Sequence, residues 1–236
     1  MLLYISDIVG FYTKRVRRDT VETKVKDEKL TSAAQVETKK RTGGKEYLLV
    51  KRLFDIVFAL TTGIVLLIPM IIIGILVKLD SKGPAIYSQE RLGLNGKPFV
   101  MYKFRSMRMD AEEAGPQWAQ KDDERCTKFG KFLRKTRLDE LPQAINILTG
   151  NMSVVGPRPE RAYFYDEFEK NIPNFRQRLQ VKPGLTGYAQ VNGGYDLLPE
   201  EKLAYDLEYI EKRSLWLDLS CIVKTVRLIF THEGAR

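Results

Sequence analysis

From Ile56 to Val77 every position is apolar or neutral, with no charged residue in the run. A helix rises ~1.5 Å per residue, so this stretch approaches the thickness of a bilayer core, and a membrane-inserted helix is the first element predicted. Pro69 lies inside it, lacks an N–H, and leaves the carbonyl of Val65 without a helical partner. Lys51 and Arg52 precede the run, and Lys78 and Lys82 close it, so both ends favour the same, cytoplasmic, side. A helix that enters, breaks at Pro69 and returns reconciles these features; a kinked spanning helix is the alternative. A second pattern occupies Leu215 to Phe230, where Leu215, Leu219, Ile222, Val226 and Ile229 step by four and three, with Trp216, Val223 and Phe230 alongside. This predicts an amphipathic helix that either lies in the membrane interface or packs on a core.

Between these helices the pattern is shorter. Gly83-Pro84 introduces a strand-like run, Asn95-Gly96 marks a second turn, and Phe99 to Phe104 reads as the paired strand. Ala111 to Glu124 is acidic and predicts an exposed loop or short helix, and Tyr163 to Glu169 predicts a helix. Lys182 to Gly194 is rich in glycine, which serves either tight turns or close approach to a ligand. Met1 to Tyr12 is apolar and is followed by basic residues, the wrong order for a secretory signal. Thr13 to Glu46 is charged and poor in large apolar side chains, as a flexible linker is. The expected organisation is a charged segment over 1–46, a re-entrant membrane helix over 47–80 and a cytoplasmic catalytic domain over 81–236. The fold class is α/β and mostly helical.

Composition narrows the chemistry. Across 236 residues the formal charge is +9, which calls for an anionic partner. Cys126 and Cys221 are the only cysteines and form neither a disulfide framework nor a zinc spacing. His232 is the sole histidine, four residues from the end, which argues against a histidine base or a histidine-rich metal site. Carboxylates, arginines, lysines and hydroxyls remain.

The richest stretch of these is Arg134-Lys135-Thr136-Arg137-Leu138-Asp139-Glu140-Leu141-Pro142-Gln143. Adjacent helical positions point about 100° apart, so Asp139 and Glu140 are expected to meet different groups. One carboxylate then attacks while the other holds a metal or moves a proton; a charged helix end is the plainer reading. Lys103 and Arg105, with Arg108 and Ser106, close the predicted hairpin either as a phosphate clamp or as a solvated charged face. Arg158 stands between Pro157 and Pro159, which fix the backbone beside it and suit it to a diphosphate.

These segments in order, "KFRSM", "RKTRLDELPQ", "GPRPE", "KPGLTGYAQVNG" and "YDLEYI..RSLWLDL", resemble the bacterial sugar transferase family, whose members are the monotopic phosphoglycosyl transferases. The resemblance runs from about Lys51 to Phe230. It implies transfer of a hexose-1-phosphate, glucose or galactose favoured, from a UDP-sugar to undecaprenyl phosphate with release of UMP, a first membrane step of exopolysaccharide or capsule synthesis. It implies that Asp139 is the nucleophile forming an aspartyl-phosphosugar and that Glu140 binds Mg²⁺. It further implies substrate contacts for Arg134, Arg158, Lys103, Arg105 and Gln190, and support from Asp206. Arg137 stands where many members have a small residue, and Gly194 where many have arginine. The partners implied are UDP-sugar, undecaprenyl phosphate and membrane lipid, with a possible homodimer and no nucleic acid, at the cytoplasmic face of the bacterial inner membrane. Larger members carry further N-terminal segments, so this chain reads as the catalytic unit alone. The rival readings are a membrane-tethered nucleic-acid binder and a noncatalytic scaffold of a polysaccharide assembly complex.

Overall fold

The computed structural model describes residues 44–231 apart from 114, 116, 119–122, 195 and 196. The expectations for the apolar and charged N-terminal segment before residue 44 lie outside the described residues, as does part of the acidic loop. Two helices open the fold: α1 (Lys45–Val65) and α2 (Leu67–Asp80), bent by 64°. The break falls at Leu66, not at Pro69. Val65, whose carbonyl Pro69 cannot serve, ends α1, and Pro69 sits in the first turn of α2, where a missing N–H is tolerated. Among the described residues no single helix is long and apolar enough to cross a membrane, whereas the bent pair meets that test of length and composition together.

Strands β1 (Ile86–Leu92) and β2 (Pro98–Phe104) form the expected antiparallel hairpin, Ile86 opposite Phe104. Asn95 and Gly96 both take positive φ, 56° and 75°, as a tight connection with this twist requires. Then follow α3 (Lys128–Thr136), a 3₁₀ turn (Leu138–Glu140), α4 (Gln143–Leu148), β3 (Ser153–Val155) and α5 (Ala162–Glu169). A second 3₁₀ segment (Phe175–Gln180) leads to β4 (Gly184–Thr186), α6 (Tyr188–Asn192), α7 (Pro199–Lys212) and α8 (Leu215–Thr231). The described fold is mostly helical with two small two-stranded sheets.

The pairing of β3 with β4 is parallel and was not expected. Three-residue strands carry no alternation to read. Here the glycines of the 182–194 stretch serve backbone crossing: a Cβ on Gly184 would stand 2.1 Å from Gly156 N, and one on Gly187 2.1 Å from Gly156 O. No side chain fits such distances. Gly156 and Gly184 are therefore what lets the Pro-Arg-Pro segment lie against β4.

The main core joins Ala59 of α1, Phe99 and Met101 of β2, Ile147, Met152, Val154, Val155, Tyr209 and Cys221. Polar anchors fix α1 to it. Asp55 is 2% exposed and accepts from Ser153 Oγ at 3.0 Å and Val154 N at 2.8 Å. Arg52 donates to the carbonyls of Ile147 and Leu148 at 2.7 and 2.8 Å, completing the C-terminal end of α4. Asp218 of α8 accepts from Tyr47, Lys51 and Tyr209.

Outward-facing positions of α1 and α2 stay bare: Leu49, Ile64, Ile68 and Leu79 are at least 70% exposed. Helix α8 is arranged likewise. Asp218 and Cys221 face inward and the Thr225 hydroxyl meets that of Thr186, while Trp216 and Phe230 are 81% and 80% exposed. Most of the apolar stripe read from the sequence thus points away from the body, though Ile222 packs on the main core.

Candidate active site

Helix α3 begins at Thr127, whose side chain accepts from Gly130 N at 2.9 Å. It ends at Arg137, held in the left-handed region at φ 59°. That reversal delivers Leu138–Glu140 as a 3₁₀ turn, and Pro142 then caps the start of α4. Both carboxylates are 7% exposed. They line a cavity of about 410 Å³ with ten basic side chains against four carboxylates among its described lining residues. Arg108, Arg125 and Arg178 pair with Asp110, Asp123 and Asp206 outside the described lining, and the positive surplus that remains favours an anionic ligand.

The pair is shared by one lysine instead of being divided between separate groups. Lys103 Nζ stands 2.9 Å from Glu140 Oε1 and 3.9 Å from Asp139 Oδ2. A 3₁₀ turn is tighter than an α-helix, and β2 lays Lys103 across its open side. Arg158 adds the division that was expected, donating to Glu140 Oε1 at 2.6 Å. Burial alone would raise both carboxylates. For Glu140 the adjoining Arg158 and Lys103 outweigh it and hold the group well below the usual carboxylate range. For Asp139 burial, reinforced by the charge of Glu140, outweighs Lys103 and Arg134 and pushes the group up to about 6. The site thus contains one firmly ionised carboxylate and, beside it, one that is more basic than usual yet still ionised at neutral pH.

The remaining expected residues divide. Arg134 and Arg137 line the cavity, as do Gln190 and Gly194. Gln190 donates Nε2 to Leu185 O at 3.1 Å, and its Oε1 is buried without a partner. Arg105 also borders the cavity, but its guanidinium is bound to Lys82 O, Ser81 O and Ser81 Oγ at 2.9, 2.7 and 3.0 Å. It is 5% exposed and caps the end of α2, so the clamp predicted from Lys103, Arg105 and Arg108 is not assembled as one unit. Arg108 also borders the cavity but pairs with Asp110 at 3.2 Å. Asp206 lies outside the described cavity lining, paired with Arg178 at 2.7 Å.

Among the contributors missed, besides Arg125 and Lys202, three stand out. Arg178 reaches the cavity from a 3₁₀ segment whose sequence holds two arginines with no feature to separate them. Arg91 lines it from β1 and pairs with Glu160 at 3.2 Å. Asn146 clasps β2 beside Lys103, donating to Val100 O at 2.6 Å and accepting from Tyr102 N at 3.1 Å. An asparagine inside the Ile-Asn-Ile-Leu run was the one available signal.

Among the described residues no group of three or more His, Cys, Asp or Glu side chains could hold a metal ion. Mg²⁺ needs no such cage: one or two carboxylates suffice when substrate phosphates complete its shell. Glu140, held ionised beside the cavity, fits as that carboxylate.

An adjacent Asp–Glu pair in a cavity rich in cations is suited to an anionic, phosphate-bearing ligand. Residues 46–232 match the family model described as bacterial sugar transferase, and the chain belongs to that family. It is 44% identical over 194 residues to the UDP-N-acetylgalactosamine-undecaprenyl-phosphate N-acetylgalactosaminephosphotransferase of Aeromonas hydrophila, covering 80% of this chain and 46% of that one. With a Bacillus subtilis (strain 168) protein named putative undecaprenyl-phosphate N-acetylgalactosaminyl 1-phosphate transferase it shares 55% over 134 residues, 56% of this chain and 74% of that one. With the UDP-glucose:undecaprenyl-phosphate glucose-1-phosphate transferase of Xanthomonas campestris pv. campestris it shares 47% over 172 residues, 70% of this chain and 36% of that one. The chain thus spans under half the length of two of these relatives and about three quarters of the third.

Proposed function

We propose that this chain transfers a hexose-1-phosphate from a UDP-sugar to undecaprenyl phosphate and releases UMP. The observation that carries the reading is the Asp139–Glu140 pair, buried, oppositely shifted and held by Lys103 and Arg158 in a cation-lined cavity. Asp139 attacks the phosphorus bearing the sugar. A carboxylate needs no proton removed to do this, and desolvation raises its reactivity. The new Asp Oδ–P bond forms as the bond to the UMP oxygen breaks, and UMP leaves with that electron pair. A phosphate oxygen of the polyprenyl acceptor then displaces Asp139, giving a polyprenyl diphosphosugar. Lys103, Arg158, Arg134 and Arg137 orient the phosphates and offset their charge. Mg²⁺ would be held by Glu140 together with substrate phosphates, and would supply charge neutralisation at the diphosphate. Glucose or galactose remains the sugar expected from the sequence, and N-acetylgalactosamine, named for two relatives, joins the candidates.

The bent pair α1–α2 reads as a re-entrant hairpin in the cytoplasmic leaflet of the inner membrane, with α8 lying in the interface. Bare apolar faces on all three support this, since water would otherwise cover them. Partners are then the UDP-sugar, undecaprenyl phosphate and membrane lipid. In a Cys126→Ser background, Lys45→Cys and Lys170→Cys should be labelled by an impermeant maleimide from the same, cytoplasmic, side; opposite sides would establish a spanning helix.

The deciding experiment measures UMP release from a panel of UDP-hexoses with Mg²⁺, with and without undecaprenyl phosphate. A stoichiometric burst without acceptor, turning into full turnover with it, is expected. No release from any sugar would overturn the reading.

A further inference from the structure

Residues Pro157–Glu160 form a strap along the cavity. Pro157 and Pro159 have no N–H, so the strap is held chiefly through its carbonyls. All four are occupied. Gly184 N donates to Pro157 O at 2.9 Å, Arg178 Nη2 to Arg158 O at 3.2 Å, Arg91 Nη1 to Pro159 O at 3.5 Å and Leu92 N to Glu160 O at 3.0 Å. Arg178 therefore grips the peptide of the one strap residue whose side chain reaches Glu140.

Arg178 is itself locked. Its Nε donates to Asp206 Oδ2 at 2.7 Å, both side chains are 1% exposed, and its guanidinium lies 4.9 Å from the Phe175 ring. Its Nη1 is buried with no hydrogen-bond partner. A buried ion pair gives little net stability over apolar residues of the same volume, and an unmade buried hydrogen bond subtracts from it. What the pair provides is a guanidinium plane fixed in direction. Asp206 reaches neither the described cavity lining nor the dyad; its route to the chemistry runs through Arg178 and the Arg158 peptide.

We propose that Asp206 and Arg178 form a positioning device that sets the Arg158 guanidinium against Glu140. The kinetic form of this rests on the transferase reading above. The test is a double-mutant cycle of Asp206→Asn with Arg158→Lys, read as kcat and KM for the UDP-sugar and as Kd for UDP by calorimetry, with thermal midpoints for each variant. Asp206→Asn alone should lower kcat/KM and UDP affinity at least tenfold, and Asp206→Glu should recover part of the loss. In the Arg158→Lys background the same substitution should cost under threefold, because the group it positions is gone. Equal losses in both backgrounds would reduce the pair to a structural role and overturn the proposal. Should Asp206→Asn fail to fold, Arg178→Lys takes its place in the cycle under the same criteria. UDP affinity coupled in this way, in a protein that releases no UMP, would sink the transferase reading and leave this one standing.

Discussion

Replacing Asp139 by Asn keeps the shape of the side chain and removes a charge that the fold holds at a cost. The carboxyl is 7% exposed, and its titration is pushed from 3.8 to about 6, chiefly by burial. At ~1.4 kcal/mol per unit, a shift of roughly two units corresponds to about 3 kcal/mol favouring the neutral form in the folded state. Because the folded-state value is raised, the fold takes up protons that the unfolded chain does not, and wild-type stability rises as pH falls from about 6 towards 4. Asn is neutral throughout and incurs no such penalty. The variant should therefore be the more stable protein above pH 7, by up to about 3 kcal/mol, or roughly 6–12 °C in midpoint for a domain of this size. The gain should shrink to near zero at pH 4, where Asp139 is protonated in the wild type as well. Thermal unfolding of both proteins in one detergent, from pH 4 to 8, measures this directly. Equal midpoints at pH 8, or a gain that persists unchanged in acid, would refute the claim that a desolvated charge sits at this position. Turnover should meanwhile be abolished, a trade of stability for activity expected of a catalytic group.

Wild-type turnover should decline as pH falls through about 6, since protonated Asp139 cannot attack; a rate constant down to pH 5 would contradict the assignment. Glu140→Gln withdraws the charge that meets both Arg158 and Lys103, and should lower turnover at least ~100-fold and flatten its dependence on Mg²⁺ in a UMP-release titration. Gly184→Ala sets a methyl group 2.1 Å from Gly156 N and should destabilise the fold by more than ~3 kcal/mol or prevent folding, as followed by thermal melting. Trp216→Ser combined with Phe230→Ser strips two of the barest apolar side chains from α8 and should weaken binding to anionic vesicles at least ~10-fold in flotation, with α1 and α2 retained.

Much of the fold was legible because it rests on local rules. The β1–β2 hairpin follows from Asn95-Gly96, whose positive φ values few other pairs adopt. The amphipathic period of α8 and the uncharged run of α1 and α2 were equally plain, and Asp139 and Glu140 do follow a helix end, as the charged-helix-end reading had it. The position of the helix break was misjudged by three residues, because a proline disrupts the carbonyl four positions earlier and not its own site. Arg105 shows a different failure. A cation near other cations in sequence looks like a ligand clamp, and only the return of the chain to the end of α2 reveals which carbonyls claim it.

The sequence by itself determined the chemistry available: one terminal histidine, an adjacent Asp–Glu pair, arginines beside prolines and apolar segments long enough to engage a membrane. Those are properties of residue type and spacing along the chain. Tertiary structure alone decided that Lys103 spans both carboxylates, that Arg158 fastens on Glu140 and that Asp139 is left the more basic of the two. It likewise decided that Asp206 reaches Arg158 through Arg178 and that Asp55 anchors α1 to β3. The physical reason is the same in each case. Desolvation and Coulomb attraction act across space over a few ångströms, and those distances join residues that lie tens of positions apart in the chain.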